Sequence, residues 1–339
     1  MKAVAYQMNL PISEALALQD VELPEPSPGP HDLLVDVRAI AVNPVDTKVR
    51  AGVAAGPGPW KVLGWDAVGT VQAVGPAVTR FAPGDRVWYA GALQRPGANS
   101  ERHCVDERLA ARAPGSLDDA QAAALPLTAI TAWELLFHRL QVPRGEAGQG
   151  QVLLVVGAAG GVGSILLQLA RVLTSLTVVA TASRPQTREW VERLGAHAVI
   201  DHREPLAAAY CRTGLPAPAF VVGLTQTDRH FDQLAELIAP QGRLGLIDDP
   251  APGSLDVGKL KRKSVSLHWE LMFTRSLYET PDMDEQHRLL TEVAALVDQG
   301  RLHSTLGEHF GRINAQNLRR AHALLESGQA RGKIVLEGF

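Results

Sequence analysis

The sequence predicts an α/β protein that combines a doubly wound parallel sheet domain with a β-rich, barrel-like domain. After Gln151, short apolar runs alternate with segments of helical apolar spacing, which is typical of a parallel sheet covered by helices. Up to about residue 122, short apolar runs are instead separated by Pro and Gly, which favours a compact barrel. A chain of 339 residues is long enough for about two such domains.

The first part of the chain is expected to consist of short strands. They are predicted at residues 1–6, 32–42, 69–74, 86–89 and 101–105. A helix is predicted over 116–125, because the Ser116 side chain can accept a hydrogen bond from the first helical turn. Pro126 interrupts this helix, and the helical pattern resumes over 128–140.

The alternating part of the chain begins with a strand over 151–156. The further predicted strands are 177–181, 198–201, 220–223 and 243–247, and the predicted helices are 164–173, 185–194 and 228–238. Two later amphipathic helices, 285–299 and 314–325, and a closing strand, 333–336, are expected to return to the first domain. The predicted domain ranges are therefore 1–124 and 266–339 for the β-rich domain and 125–265 for the sheet domain.

The turn after the first alternating strand is the most informative stretch. A strand, a glycine-rich turn and a helix form the context that a dinucleotide-binding fingerprint requires, since the N–H groups at a helix start meet the pyrophosphate charge. Ala158 stands at the first glycine of the strict G-x-G-x-x-G pattern, and a tight turn without a ligand is the alternative. The residues predicted to contact the cofactor here are Gly157, Ala158, Ala159, Gly160, Gly161, Val162 and Gly163.

The second alternating strand indicates which dinucleotide is bound. An NAD site usually has an acidic residue at the end of this strand, to bind the ribose 2′-hydroxyl. Here the first carboxylate after the strand is Glu189, while Ser183 and Arg184 offer a hydroxyl and a guanidinium to a 2′-phosphate. The alternative for Arg184 is a solvated residue ahead of Pro185. The sequence therefore predicts NADPH rather than NADH.

Composition excludes several classes of protein. A formal net charge of −3 provides no electrostatic footprint for nucleic acid or for a membrane surface. The basic run 259–263 is expected to cap a solvated turn, and two cysteines supply neither a disulfide framework nor a thiolate metal cluster. The N-terminal segment resembles a strand rather than a signal peptide, and no uninterrupted apolar run is long enough for a bilayer. We expect a cytoplasmic protein.

Several stretches together resemble one known superfamily. They are Val42-Asn-Pro-Val-Asp46, Gly64-Trp-Asp-Ala-Val-Gly-Thr-Val71, Phe81-Ala-Pro-Gly-Asp-Arg-Val87, Leu125-Pro-Leu-Thr-Ala-Ile-Thr-Ala132, the glycine-rich turn and Gly332-Lys-Ile-Val335. In this order they resemble the medium-chain dehydrogenase/reductase superfamily, in its quinone oxidoreductase branch and the subgroup named zinc-type alcohol dehydrogenase-like proteins. The resemblance implies a GroES-like barrel with a Rossmann domain, and a homo-oligomer, either a dimer or a tetramer.

The subgroup's name conflicts with the residues at the metal positions. By resemblance, the Cys, His and Cys that bind catalytic zinc in metal-dependent relatives correspond here to Asn43, Trp65 and Leu127. Indole and isobutyl groups cannot donate an electron pair to zinc, and a carboxamide is a poor substitute for a thiolate. Asp66 alone cannot rebuild the site. The sequence predicts no zinc.

Without a metal, hydride addition to an already electrophilic acceptor is more accessible than alcohol oxidation. The resemblance implies NADPH-dependent reduction of quinones or α,β-unsaturated carbonyl compounds. Two alternatives stay open: a zinc-dependent alcohol dehydrogenase, and an NADPH-binding sensor or structural protein with little turnover.

The resemblance implies several candidate site residues, and each of them also has a purely structural interpretation. Asn43, Asp46, Trp65 and Thr131 are implied to face a cleft between the domains, with Thr131 and Lys333 at the cofactor. Asn43 is a candidate donor to a substrate carbonyl or a turn residue, Asp46 a catalytic partner or a cap, and Thr131 a cofactor contact or an ordinary helix residue. Tyr89 is the candidate proton donor or a strand-edge tyrosine. Trp65 and Phe273 are predicted substrate contacts or core residues.

Overall fold

The computed structural model describes residues 1–52 and 59–339. The chain divides into two compact units: unit 1 comprises Met1–Ile130 and Phe273–Phe339, and unit 2 comprises Thr131–Met272. Both divisions fall several residues later than the ends of the predicted ranges, 124 and 265. The first differs because the helix that starts at Pro126 begins inside unit 1.

The strands of the described residues are numbered in chain order. They are β1 Lys2–Tyr6, β2 Gln19–Glu22, β3 Asp32–Val42, β4 Lys61–Val62, β5 Ala67–Val74, β6 Arg86–Tyr89, β7 Arg102–Asp106, β8 Ala110–Arg112, β9 Val152–Val156, β10 Thr177–Thr181, β11 Ala198–Ile200, β12 Phe220–Gly223, β13 Arg243–Leu246, β14 Ser266–Trp269, β15 Leu306–His309 and β16 Lys333–Glu337. The α-helices are α1 Pro44–Gly52, α2 Asp119–Ala123, α3 Pro126–Trp133, α4 Gly161–Leu173, α5 Pro185–Arg193, α6 Leu206–Cys211, α7 Thr227–Leu237, α8 Thr274–Tyr278, α9 Glu285–Asp298 and α10 Ala315–Glu326.

Unit 1 is the β-rich domain that the sequence predicts. Its larger sheet has the order β15-β16-β3-β5-β6-β8, with β7 also paired to β3, and a smaller sheet has the order β2-β1-β4. The long strand β3 is antiparallel to β5, β7 and β16, with Leu34 opposite Cys104 and Ile40 opposite Leu336. This pairing places the end of β3 and the start of β16 side by side.

Unit 2 is the predicted doubly wound parallel sheet, in the order β11-β10-β9-β12-β13-β14. All five residues of β9 are buried, which explains its uninterrupted apolar sequence, because a central parallel strand is covered on both faces. Phe231 and Leu234 of α7 pack against Leu154 and Val221 of the sheet in one apolar cluster. The strand order reverses beside β9, where such sheets bind their ligands.

The structure corrects four details of the predicted elements. The helix predicted over 116–125 begins only at Asp119, and Asp118 rather than Ser116 is its N-cap residue. Pro126 does not only interrupt a helix but starts α3, where its missing N–H costs nothing. The helical pattern of 128–140 continues past α3 as a π-helical turn over Glu134–Arg139. Helix α1 was not predicted, because its pattern Pro44–Gly52 follows directly on the long strand β3.

One apolar helical stretch in the described residues is long enough to cross a membrane by length and composition alone. Asp119–Arg139 has 21 residues with a mean hydropathy of 1.2 in its most apolar window, although polar and charged residues interrupt it. Within the protein, 89% of that window is buried. This is typical of a core helix, whose apolar side chains contact other parts of the protein.

Candidate functional site

The glycine-rich turn joins the carboxyl end of β9 to the start of α4. Gly157 has a φ of +83°, in the left-handed region that favours glycine. Its N–H donates to the Thr181 hydroxyl at 3.1 Å, which ties the ends of β9 and β10 together. Helix α4 begins at Gly161, and its N-cap residue, Gly160, has no side chain that could satisfy the first N–H groups. These groups provide an anion site of the kind that binds a pyrophosphate.

Gly160 and Gly163 have different surroundings. A Cβ on Gly163 would lie 2.5 Å from the carbonyl oxygen of Ala158, so the helix can pack on the turn only with glycine here. A Cβ on Gly160 would meet, within 4 Å in the described chain, only the carbonyl oxygen of Gly157, at 3.6 Å. The φ of Gly160, −75°, suits any residue. Neither packing nor backbone conformation therefore requires glycine at this position, whereas close approach of a phosphate group does.

The end of β10 presents the residues predicted to select the cofactor. Ser183 is half-buried and Arg184 is exposed. Arg184 is the N-cap residue of α5, and the Thr187 hydroxyl holds its backbone, accepting from the Arg184 N–H at 3.2 Å and donating to its carbonyl at 2.9 Å. The backbone at Arg184 is therefore anchored while its side chain reaches solvent.

Two further arginines act on the same histidine as Arg184, and neither was predicted as a site residue. Burial lowers the pKa of His202, Asp201 opposes this shift, and the charges of Arg229, Arg203 and Arg184 add to it. The charges of three guanidinium groups therefore act on His202 against that of one carboxylate, which Arg203 binds at 2.6 Å. Such a group favours a phosphate. One signal was available, since Arg203 follows the end of β11 at the same offset as Arg184 follows the end of β10.

In unit 1, four of the residues around the predicted site form one buried polar network. The Lys333 ammonium donates to Asp66 Oδ2 at 2.8 Å, to the Val42 carbonyl at 3.1 Å and to Asn43 Oδ1. Asp66 also accepts from Asn43 Nδ2 at 2.8 Å and from the Leu127 N–H at 2.7 Å. We call Asn43, Asp46, Asp66 and Lys333 the Lys333 network; each is at most 3% exposed.

The network engages both ends of the Asn43 carboxamide. Its oxygen accepts from Lys333, while its nitrogen donates to Asp66 and, at 3.4 Å, to the Ala41 carbonyl. Donation to a substrate carbonyl would require one of these bonds to break. Asp46 accepts from the Asn43 backbone N–H at 2.7 Å. Burial raises the pKa of Asp46 to about 7, against the opposing effects of this N–H and of Lys333.

Tyr89 lies at the end of β6 and is 1% exposed. Its hydroxyl lies 3.1 Å from His103 Nδ1, and His103 Nε2 lies 2.9 Å from the Pro96 carbonyl. Since a carbonyl only accepts, Nε2 carries the proton and the tyrosine hydroxyl donates to Nδ1. Burial lowers the pKa of His103 to about 4 and raises that of Tyr89, so both groups are neutral near pH 7.

The remaining predicted contacts are buried as well. Trp65 and Phe273 meet edge to face with ring centroids 6.2 Å apart, and they are 1% and 2% exposed. Thr131, on α3, is 6% exposed. In this structure Trp65 and Phe273 therefore contact each other as core residues. Two surface grooves of about 390 and 330 Å³ lie elsewhere on unit 1, and neither is lined by a predicted site residue.

The implied zinc positions do not fit a metal ion. Asn43 and Leu127 direct N–H groups at Asp66, and the Trp65 indole N–H donates to the Ala92 carbonyl at 3.2 Å. These atoms are donors of hydrogen, whereas zinc needs donors of electron pairs. Across residues 1–52 and 59–339, no group of three or more His, Cys, Asp or Glu side chains is placed to hold a metal.

Comparison with family models matches both parts of the chain. Residues 29–124 match the alcohol dehydrogenase GroES-like domain. Residues 194–336 match a family described as zinc-binding dehydrogenase.

Individual relatives match nearly the full length. A zinc-type alcohol dehydrogenase-like protein of Staphylococcus aureus is 37% identical, with 99% of each chain covered. A quinone oxidoreductase of Pseudomonas aeruginosa is 32% identical, with 95% of each chain covered. Among solved structures, a protein of Rhizobium etli, provisionally named a zinc-dependent alcohol dehydrogenase, is 58% identical with a TM-score of 0.96, covering 100% of this chain and 98% of that one. The Escherichia coli quinone oxidoreductase in complex with NADPH is 25% identical with a TM-score of 0.83, covering 99% and 100%.

Proposed function

The chain belongs to the medium-chain dehydrogenase/reductase superfamily, and from this premise we propose that it is a zinc-independent enzyme that uses NADPH to reduce quinones or α,β-unsaturated carbonyl compounds. Membership of this superfamily supports an oxidoreductase activity. The main support for a bound dinucleotide is the glycine at position 160, because only the close approach of a ligand requires glycine there. The NADPH complex of the related quinone oxidoreductase supports the same assignment.

The residues of unit 2 fit a dinucleotide phosphate. The N–H groups at the start of α4 would hold the pyrophosphate, and Arg184, with Arg203 and Arg229 nearby, would hold the 2′-phosphate. When bound, NADPH supplies the hydride. Ser183 and Thr131 complete the proposed cofactor contacts. Lys333, which was also predicted at the cofactor, is left out because its ammonium is engaged by Asp66, Asn43 and the Val42 carbonyl.

The proposed acceptor is already electrophilic, so the chain needs to orient it, exclude water and supply a proton. Among the candidate catalytic residues, Asp46 has the most support, because its pKa of about 7 lets its carboxyl hold or release a proton near neutral pH. Asn43 acts through its position in the Lys333 network. Tyr89 has the least support, because its hydroxyl already donates to His103.

A steady-state acceptor screen tests this proposal. Purified protein should oxidise NADPH with at least one quinone or enone, and metal analysis of the same sample should find no stoichiometric zinc. Tight NADPH binding without turnover across the panel would favour a sensor. Stoichiometric zinc together with alcohol oxidation would favour a zinc alcohol dehydrogenase. A small-molecule acceptor, a homo-oligomeric state and a cytoplasmic location belong to the same proposal.

A further inference from the structure

The names of the relatives imply zinc, but a cationic side chain, Lys333, contacts Asn43 at one of the implied zinc positions. Lys333 enters from the start of β16, and its ammonium lies among the oxygen atoms of Asp66, Asn43 and the Val42 carbonyl. We infer that Lys333 is the resident cation of this site, taking over the charge balance that a metal ion would provide and closing the site to one. This inference extends the zinc-independent part of the proposed function.

Asp66 shows why no metal ion is needed. Its carboxylate accepts from Lys333, from Asn43 Nδ2 and from the Leu127 N–H, at 2.7 to 2.8 Å. Oδ1 and Oδ2 are both engaged and the group is 0% exposed, so these three partners oppose the rise in the pKa of Asp66 that burial causes. An incoming cation would have to displace an ammonium and face two further N–H groups.

The balance between the buried carboxyl groups and the Lys333 ammonium can be tested. Burial raises the pKa of two carboxyl groups, Asp46 on α1 and Asp66 ahead of β5, and the charge of Lys333 on β16 opposes both shifts. If Lys333 loses its charge, Asp66 must take up a proton to stay buried. Burial already raises the pKa of Asp66 in the presence of Lys333, so loss of this charge raises the folded-state pKa further above the unfolded value, and more stability is lost as the pH rises.

Lys333→Met, which removes the charge and keeps most of the volume, should therefore show a pH-dependent deficit in melting temperature. Relative to wild type, we expect the deficit to grow by roughly 5 °C or more between pH 5 and pH 8. The matched control is the double variant Asp66→Asn/Lys333→Met. Its deficit should change with pH less than half as much, because only Asp46 remains of the two carboxyl groups whose rise in pKa Lys333 opposes.

Two results would overturn the inference. One is a Lys333→Met deficit of equal size at every pH, which means that the side chain acts only through packing. The other is stoichiometric zinc retained by wild-type protein after dialysis against the metal, a measurement that stands even if Lys333→Met does not fold. Neither readout uses NADPH turnover, so a failed acceptor screen and a failed role for Lys333 are distinguishable.

Discussion

Three glycines in the turn after β9 show how one residue type meets three physical demands. Gly157 adopts a positive φ, and Gly163 lets α4 approach the Ala158 backbone. Neither a positive φ nor close packing requires glycine at position 160, so the approach of a ligand is the third demand. At the scale of single residues, the position that the protein itself does not need as glycine is the one that most strongly indicates a ligand.

Gly160→Val should separate ligand binding from folding. A valine side chain at this position would fill the space through which the pyrophosphate approaches, so the Kd for NADPH should rise by about 10-fold or more. Because Gly160 is the N-cap of α4, where valine is less favourable than glycine, the free energy of unfolding should fall by no more than about 1 kcal/mol. Gly163→Ala is the control, with an expected loss of about 1–3 kcal/mol from its clash with Ala158. Unchanged NADPH affinity in Gly160→Val, measured by fluorescence titration, would remove the cofactor site from this turn.

The choice of cofactor is also a property of single residues. Arg184→Ala should lower kcat/KM for NADPH by roughly 10- to 100-fold, the value of a lost charge-assisted hydrogen bond, and change kcat/KM for NADH much less. Arg212→Ala is a matched control, because Arg212 is an exposed arginine of the same unit that pairs with Glu204. Equal losses with both cofactors would show that Arg184 does not contact a 2′-phosphate.

At the scale of elements, five strands of the unit 2 sheet, β9 to β13, were predicted because each is a short apolar run with a clear break on either side. The strands β10 and β12 match their predicted bounds. Short elements were missed where their patterns carry little periodicity, as in β4 and α6. Such elements are stabilised by their neighbours rather than by their own sequence.

The basic run 259–263 shows an element that the sequence located but did not explain. It ends a 3₁₀ helix, Val257–Lys263, at a turn, as expected. In addition, the Lys263 ammonium donates to the Ala235 carbonyl at 3.2 Å and to the Ile238 carbonyl at 2.8 Å. A cation at these free carbonyl groups stabilises the carboxyl end of α7. This contact joins parts of the chain that no local pattern connects.

At the scale of the whole molecule, the edge of the parallel sheet bears on the proposed homo-oligomer. Strand β14 is an edge strand whose Trp269 is 51% exposed, and Leu271 just beyond it is 50% exposed. Exposed apolar side chains beside an unpaired strand edge are typical of an interaction surface. Trp269→Lys should therefore shift the protein toward monomer in light scattering, whereas Val257→Lys, at another exposed apolar residue of unit 2, should not. An oligomer unchanged by Trp269→Lys would place the interface elsewhere.

The sequence alone determined the two fold types, the glycine-rich turn and the absence of electron-pair donors at Trp65 and Leu127, because these depend on local patterns and on side-chain chemistry. Only the tertiary structure decided that Lys333 lies among Asn43, Asp46 and Asp66, that Tyr89 bonds His103, and that Arg203 and Arg229 join Arg184. These groups are far apart along the chain, and sheet register with burial brings them together. The number of residues between two groups does not reveal such a contact, because intervening segments of many different lengths can bring the same two groups together.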